Sequence, residues 1–300
     1  MPQTEDYLIL IGAMKAGTTT LFAELARHPQ IAPASPKEPG FFAFEEVHAQ
    51  GFEWYHGLFD FDPARHRYRM AASTDYTKAP FVTGVRERMA RRENARYKFV
   101  YILRDPLDRI ESHARHVQLT RREIGRDVSP SSDHSLDSGI SPVSLAISSY
   151  AWQIEPYRED HVRGNLHITT LERLTEDTRA VMEELWSFLE LEPISADRPL
   201  DHRNPAGGPP KPGALLKAVI QIRPLLAAGK LLLPKSLRAR LKTSLSGQTA
   251  LKGRFDLTEP EKQALAPLFA ADLAQLATDY GVEFLDTPVP DGAPSDAKRL

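Results

Sequence analysis

A short apolar run that opens onto a glycine-spaced turn and then a helix constrains the fold more than any other feature. Residues 7–11 are apolar and β-rich and end at Gly12, and residues 18–27 have the apolar spacing of an amphipathic helix. The loop between them reads Gly12-x-x-x-x-Gly17, the frame of a phosphate-binding loop. This succession predicts a buried strand whose helix packs back on a parallel sheet.

Two further apolar runs repeat the pattern along the chain. Residues 97–103 form a strong β-rich run, and residues 166–170 form a shorter one. Helical spacing is present at about 107–121, 143–161, 176–189 and 259–280. Strands that alternate with helices predict an α/β protein, a P-loop-type three-layer fold with a central parallel sheet of about five strands flanked by helices.

The position of the lysine in the glycine loop indicates its chemistry. Backbone N–H groups in a tight glycine turn at a helix N-terminus form an anion site. Enzymes that use nucleoside triphosphates place a lysine directly after the second glycine, followed by a Ser/Thr that binds Mg²⁺. Here Thr18 follows Gly17, and Lys15 lies inside the loop. The loop favours one phosphate plus a transferring group held without a metal; a P-loop nucleotide kinase that uses ATP and Mg²⁺ is the alternative.

The second strand ends in a cation rather than an acid. Its boundary reads Leu103-Arg104-Asp105-Pro106, whereas a magnesium-binding partner strand ends in an aspartate directly after its apolar run. Arg104 therefore suits a second anion better than a metal. Ser112 follows on the next helix, where its hydroxyl can join Arg104 on one phosphate. The alternative is a surface arginine in an Asp-Pro turn that caps the helix.

Five segments of the chain carry a family resemblance. "IGAMKAGTTTL" and "YILRDPLDRIESHARH" resemble the 5′-phosphosulfate loop and the 3′-phosphate motif of sulfotransferases that use 3′-phosphoadenosine 5′-phosphosulfate (PAPS). "KEPGFFAFEEVHAQGFEWYHGLF" is similar to the Glu-x-x-Phe-Phe segment of the heparan sulfate sulfotransferases. Residues 148–191 resemble their helix–strand–helix with the last sheet strand, and "LKGRFDLTEPEKQAL" resembles their late Lys-Gly-Arg loop. The resemblance covers roughly residues 7–120, 145–192 and 248–285.

The resemblance implies a donor site without a metal, and a role for each motif residue. Lys15 is expected to contact the phosphosulfate bridge and to stabilise charge on the departing phosphate. Arg104 and Ser112 are expected to hold the 3′-phosphate, which Arg104 can grip bidentately as a lysine cannot. Residues 252–254 close over the nucleotide, or form a solvated basic turn. The implied donor-binding residues are Lys15, Ala16, Gly17, Thr18, Thr19, Thr20, Arg104, Ser112, Lys252, Gly253 and Arg254.

The same resemblance implies that Glu38 is the general base. Sulfuryl transfer requires the acceptor to lose a proton as it attacks, and a carboxylate accepts it. Phe41 and Phe42 are expected to shield this carboxylate from water. The alternative is a surface glutamate beside Lys37. In the cytosolic small-molecule branch of the sulfotransferase family the base is a histidine. The other candidate bases in this chain are Glu45, Glu46, His48, His113 and His116.

Two departures from the family pattern bear on the acceptor. Ala71 and Ala72 stand where the heparan enzymes usually have a Glu-Lys pair, and Gly40 replaces a polar residue. Both changes argue against a sulfated polysaccharide and leave Asp75 and Lys78 as candidate acceptor contacts. The implied reaction moves the sulfuryl group of PAPS to a hydroxyl or amine of a small-molecule, lipid or glycan acceptor. It leaves adenosine 3′,5′-bisphosphate.

Composition bounds the remaining possibilities. The absence of cysteine excludes disulfides, thiolate zinc sites and cysteine nucleophiles, and the net charge of −2 makes no case for nucleic acid as a partner. Polar residues after Met1 and the absence of a long apolar run predict a cytoplasmic protein, which resembles the bacterial cytoplasmic relatives of the family. We expect one sulfotransferase domain over residues 1–300, with a basic helical insertion at about 203–248 and a frayed tail at 287–300.

The basic insertion lies in a stretch without acidic residues. Residues 202–255 contain eleven Lys and Arg and no Asp or Glu. This stretch is either a basic funnel for an anionic donor or, through residues 211–242, a peripheral contact with an anionic membrane such as the inner membrane face. A catalytically dead nucleotide- or membrane-binding protein is a third interpretation of the whole chain.

Overall fold

The protein is built around a central parallel sheet. The structure is a computed structural model, and it describes residues 4–123, 140, 142–194 and 256–284. Its strands are β1 (Glu5–Gly12), β2 (Ile31–Pro33), β3 (Tyr68–Ala72), β4 (Ala95–Leu103) and β5 (Leu166–Thr170). They lie in the order β2-β3-β1-β4-β5, and every neighbouring pair is parallel. This confirms the predicted α/β fold with a parallel sheet of about five strands.

Helices cover both faces of this sheet. In the described ranges they are α1 (Thr18–Leu25), α2 (Glu45–His48), α3 (Gly51–His56), α4 (Val85–Ala90), α5 (Pro106–Glu123), α6 (Pro142–Ser148), α7 (Tyr150–Ile154), α8 (Arg158–Val162), α9 (Leu171–Glu176), α10 (Thr178–Phe188) and α11 (Glu259–Tyr280). Single 3₁₀ turns span Thr74–Thr77 and Glu155–Tyr157. None of these helices combines the length and the apolarity that crossing a bilayer requires.

The alternation of side chains along β1 explains the three layers. Tyr7, Ile9 and Ile11 point into one buried cluster, which also receives side chains from α3, α7 and α11. Leu8 and Leu10 point into a second cluster, filled from α1 and α10. A strand that is apolar on both faces must be covered on both faces. β1 is therefore the central strand of a sheet that is covered on both faces.

The sequence signals were strongest for three of the five strands. The predicted runs 7–11, 97–103 and 166–170 lie in β1, β4 and β5. β2 has three residues, too few to show a period, and β3 ends in two alanines, a residue depleted in strands. These two strands become visible only through pairing, β3 with β1 and β2 with β3.

The predicted single helix over 143–161 is wrong. The segment consists of α6, α7, a 3₁₀ turn and α8, because Ser149 leaves the helical region with φ −87° and ψ 83°. The carboxylate of Asp272 in α11 accepts hydrogen bonds from the N–H groups of Ala151 (3.1 Å) and Trp152 (3.0 Å). A side chain from a distant helix thus caps α7 and starts it anew.

The other predicted helices are present. The helix expected at 107–121 lies within α5, and the one expected at 176–189 corresponds to α10, which begins after Asp177 caps it at Ala180 N–H (2.9 Å). The helix expected at 259–280 matches α11, which has a capping box at its start and a left-handed Gly281 at its end. The predictions for the insertion at 203–248, the membrane contact at 211–242, Lys252, Gly253 and Arg254, and the tail at 287–300 lie outside the described residues.

Candidate functional site

The glycine loop is held by the strands on either side of it. The Ala13 N–H donates to the carbonyl of Ile102 on β4 at 2.7 Å. Gly12 has φ +148°, and a Cβ there would collide with the Thr77 hydroxyl. Gly17 has φ +93°, and a Cβ there would lie 2.7 Å from Leu171 Cδ1, just after β5. Both positions need glycine, because neither the backbone conformation nor the space admits a side chain.

The loop opens onto a helix N-terminus that carries no side-chain cap. Gly17 occupies the N-cap position, no side-chain cap hydrogen bond is present within the described part of the chain, and the first turn has no acidic residue. An α-helix leaves its first N–H groups without intrahelical partners, and its dipole is positive at this end. The amides of Thr18, Thr19 and Thr20 therefore have the geometry of an anion site, and the binding of an anion by this loop stays a prediction.

Lys15 projects from the loop in a left-handed backbone conformation. Its φ is +71°, which is uncommon for a residue with a side chain and is concentrated at functional sites. Its charge acts on the ring of His113 on α5. Burial, and then the charges of Arg109, His116, Lys15 and Lys78, lower the pKa of His113 to about 3. The charges of Lys15 and Lys78 therefore reach the ring of His113 on α5.

Arg104 lies at the same edge as the loop. β1 and β4 are parallel neighbours, and their register brings Gly12 opposite Tyr101, three residues before Arg104. The guanidinium is partly buried, with 22% of its side chain exposed, and donates to Asp108 Oδ2 at 2.9 Å. Ser112 lies further along α5 and is partly buried. The sheet therefore presents the two predicted halves of the donor site on adjacent strands.

Asp105 caps the helix that follows Arg104. Its Oδ1 accepts from the N–H groups of Leu107 (2.9 Å) and Asp108 (3.0 Å). The Asp-Pro capping turn named as an alternative for this segment is therefore present. The turn and the partly buried Arg104 guanidinium are present together, and the Tyr150 hydroxyl donates to the Arg104 carbonyl at 2.6 Å and fixes the backbone there.

Glu38 is connected to the loop through its neighbour Lys37. The Lys37 ammonium donates to Glu38 Oε1 at 3.0 Å and to the hydroxyls of Thr19 at 3.2 Å and Thr18 at 3.4 Å. This places the predicted base beside the first turn of α1. Lys37 was not among the site residues predicted from the sequence, although its position next to the candidate base was a usable signal.

The expected shielding of Glu38 by two phenylalanines is wrong. Phe41 and Phe42 are fully buried in an aromatic cluster, where the Phe41 ring stacks on Tyr55 at 4.2 Å between centroids. The Glu38 side chain is 41% exposed. The phenylalanines instead anchor the segment, since the Phe42 N–H donates to the Tyr76 hydroxyl at 3.3 Å beside the end of β3.

The other candidate bases occupy different surroundings. Glu45 lies 3.7 Å from Arg88 with 73% of its side chain exposed, and Glu46 is exposed beside it on α2. The His48 ring packs 4.8 Å from Phe41, and burial lowers its pKa. His113 faces the cations of the site, and a pKa near 3 makes it a weak base at neutral pH. His116 is partly buried on α5.

The candidate acceptor contacts border the site on the β3 side. Asp75 and Lys78 lie in and after the 3₁₀ turn that follows β3, and they form an ion pair at 2.6 Å. Both side chains are about four-fifths buried, with 23% and 20% exposed. Ala71 and Ala72 are buried at the end of β3, and the Ala72 N–H donates to the Lys37 carbonyl at 3.2 Å.

Fold and site together define a three-layer α/β protein with a glycine loop at the carboxyl edge of a parallel sheet. The profile described as "Sulfotransferase domain" matches residues 5–203, which is more than half of the chain. The chain belongs to this family, and the family predicted from the sequence motifs is confirmed.

Individual proteins show how distant the relatives are. The chain is 25% identical over 190 residues to "Heparan sulfate glucosamine 3-O-sulfotransferase 5" of Mus musculus, covering 62% of this chain and 53% of that protein. It is 30% identical over 153 residues to "Membrane-associated sulfotransferase kil1" of Dictyostelium discoideum, covering 50% of this chain and 31% of that protein. A solved sulfotransferase from Alicyclobacillus acidocaldarius has the same fold, with a TM-score of 0.58, 20% identity, and coverage of 93% and 97%.

Proposed function

We propose that the protein transfers the sulfuryl group of PAPS to a hydroxyl or amine of an acceptor. One observation carries this proposal: the uncapped N-terminus of α1 and the partly buried Arg104 lie on adjacent strands at one sheet edge. PAPS carries anionic groups on its 5′ and 3′ positions, so a ligand of this shape requires two anion sites. The same edge carries Lys15, which supplies a cation at the loop itself.

The reaction is an in-line displacement at sulfur. A bond forms between the acceptor oxygen or nitrogen and sulfur, while the bond from sulfur to the bridging oxygen breaks with its electron pair remaining on the phosphate. Lys15 stabilises the charge that develops on this leaving oxygen, an effect worth about 2–4 kcal/mol for one such contact. Glu38 accepts the proton of the acceptor. Gly17 and the amides of the first turn of α1 hold the 5′ group, and Arg104 with Ser112 holds the 3′-phosphate.

The class of acceptor is proposed less narrowly than the type of reaction. The name of the mouse relative refers to glucosamine of heparan sulfate. Ala71 and Ala72 are buried and provide no charged side chain for a sulfated polysaccharide at the last two positions of β3. We therefore propose a small-molecule, lipid or glycan acceptor, contacted by the Asp75–Lys78 pair. Labelled PAPS incubated with lysate fractions of lipids, glycans and small metabolites identifies the class, because label moves only into the pool that holds the acceptor.

A binding experiment tests the donor independently of the acceptor. Isothermal titration with adenosine 3′,5′-bisphosphate in EDTA is expected to show tight binding, and ATP with Mg²⁺ is expected to bind more weakly. The opposite preference would support the P-loop kinase alternative and overturn the proposal. A protein that binds the bisphosphate but turns over no PAPS with any acceptor pool would correspond to the catalytically dead alternative.

A further inference from the structure

Lys37 is held beside the glycine loop by contacts of its backbone carbonyl and of its ammonium. Its carbonyl accepts from the Ala72 N–H at the end of β3 (3.2 Å). Its ammonium lies 5.9 Å from the centroid of the Phe22 ring on α1 and donates to the hydroxyls of Thr18 and Thr19. Only 22% of the side chain is exposed. A surface lysine would be mobile, so this degree of fixation calls for a reason.

The position of the ammonium is electrostatically unfavourable in the free protein. The N-terminus of a helix carries a positive partial charge, and cations are stabilising at the opposite end. Lys37 nevertheless places its charge against the first turn of α1, where the half-exposed carboxylate of Glu38 compensates it at 3.0 Å. The arrangement becomes favourable when an anion lies between the ammonium and the helix amides.

We propose that Lys37 binds an oxygen of the donor's sulfonate group, an inference that rests on the proposed function. In an in-line transfer, the sulfonate lies between the phosphate held by the loop and the base that faces the acceptor. The Lys37 ammonium contacts the hydroxyls of Thr18 and Thr19 and the carboxylate of Glu38. It therefore lies beside the position that the sulfonate must take, between the loop and the base. Lys37 transfers no proton and remains an ammonium throughout. It holds the group that moves, whereas Lys15 stabilises the oxygen that leaves.

This assignment predicts an effect on donor affinity that depends on the sulfonate. The sulfonate is anionic before and during transfer, so Lys37 contributes to binding in the ground state as well as in the transition state. Lys37→Met keeps the side-chain length and the packing on Phe22 but removes the charge. We expect PAPS to bind about tenfold more weakly or worse to this variant, and adenosine 3′,5′-bisphosphate to lose less than about threefold, as for the loss of one charge-assisted hydrogen bond.

Lys98 provides a matched control. Its ammonium also lies over a phenylalanine ring, 4.7 Å from the centroid of Phe188, and donates to a backbone carbonyl, but it belongs to the middle of β4. Lys98→Met should leave both affinities unchanged, and Lys37→Arg should restore most of the preference for PAPS. Equal weakening of both ligands by Lys37→Met, or no weakening of either, would overturn the inference. A wild-type protein that binds neither ligand would instead overturn the proposed function.

Discussion

Two of the helices that begin at the carboxyl edge of the sheet, α1 and α5, begin in opposite ways. α1 follows β1 with a glycine at its N-cap, no side-chain cap and no acid in its first turn. α5 follows β4, and Asp105 caps it through two hydrogen bonds to its first amides. The backbone donors of α1 remain available to a ligand, while those of α5 are occupied by the protein itself. An anion beside α5 must therefore be held by side chains, Arg104 and Ser112.

This difference separates two tasks. A backbone cradle holds an anion closely and leaves room for a cation such as Lys15 to act on the bond that breaks. Side chains such as Arg104 and Ser112 bind a phosphate that does not react, and the planar guanidinium of an arginine fixes the orientation of that phosphate. Substitution of Lys15 in the loop before α1 should therefore alter mainly turnover, and substitution of Arg104 before α5 should alter mainly affinity. The predictions that follow test this division, and the largest effect comes first.

Lys15→Met should reduce turnover far more than donor affinity. Loss of a preplaced charge at the leaving oxygen is expected to lower kcat by about 10²–10³-fold. The measurement is formation of adenosine 3′,5′-bisphosphate from PAPS with the acceptor pool that takes up label. Glu38→Gln should also lower kcat while leaving the affinity for the bisphosphate unchanged. Wild-type turnover in Lys15→Met would show that the loop lysine has no part in the chemistry.

Arg104→Lys should show the reverse pattern. Loss of bidentate contact with the 3′-phosphate is expected to weaken adenosine 3′,5′-bisphosphate by about tenfold or more. Adenosine 5′-phosphosulfate lacks the 3′-phosphate, so the substitution should leave its affinity unchanged. Arg96→Lys is the matched control, since Arg96 forms a bidentate pair with Asp6 near the other end of the same strand. Equal weakening of both nucleotides by Arg104→Lys would place the 3′-phosphate elsewhere.

His113 connects the two regions, because it belongs to α5 and responds to the charge of Lys15. Its pKa falls from 6.5 to about 3 on folding. Between these values the unfolded chain binds the proton and the folded protein does not, so this residue's stabilising contribution is lost as pH falls below about 6.5. His113→Gln should remove up to about 1.4 kcal/mol per pH unit from the acid dependence of the unfolding free energy.

Ligand binding provides the control for the predicted effect of His113 on acid stability. Adenosine 3′,5′-bisphosphate brings negative charge to the cations that lower the histidine pKa, so bound wild type should lose less stability in acid than free wild type. Urea denaturation at pH 7, 6 and 5 measures the difference. Parallel acid dependence of the wild type and His113→Gln would show that the histidine titrates normally in the folded protein.

The parts of the fold and site that local sequence encodes were predictable. The glycine frame with Lys15 and the arginine after β4 are each determined within a few neighbouring residues. Contacts between distant segments were not predictable: Lys37 reaches α1 only because β3 holds its carbonyl, and Asp272 interrupts the expected helix at 143–161 from another helix. The prediction that Phe41 shields Glu38 was wrong for the same reason, because the stacking of Phe41 on Tyr55 is a tertiary contact. The single-domain organisation, the cytoplasmic location and the roles of the site residues stay predictions.

The hydrogen bond from Ala13 to Ile102 and the contact of Leu171 with Gly17 have a consequence for recognition. The loop is fastened to β4 at its start and is covered by the residue after β5 at its end, so its shape is set by the sheet. The backbone N–H donors of such a loop are already oriented before a ligand binds. Little conformational entropy is then lost on association, and preorganisation of this kind raises affinity without adding a contact.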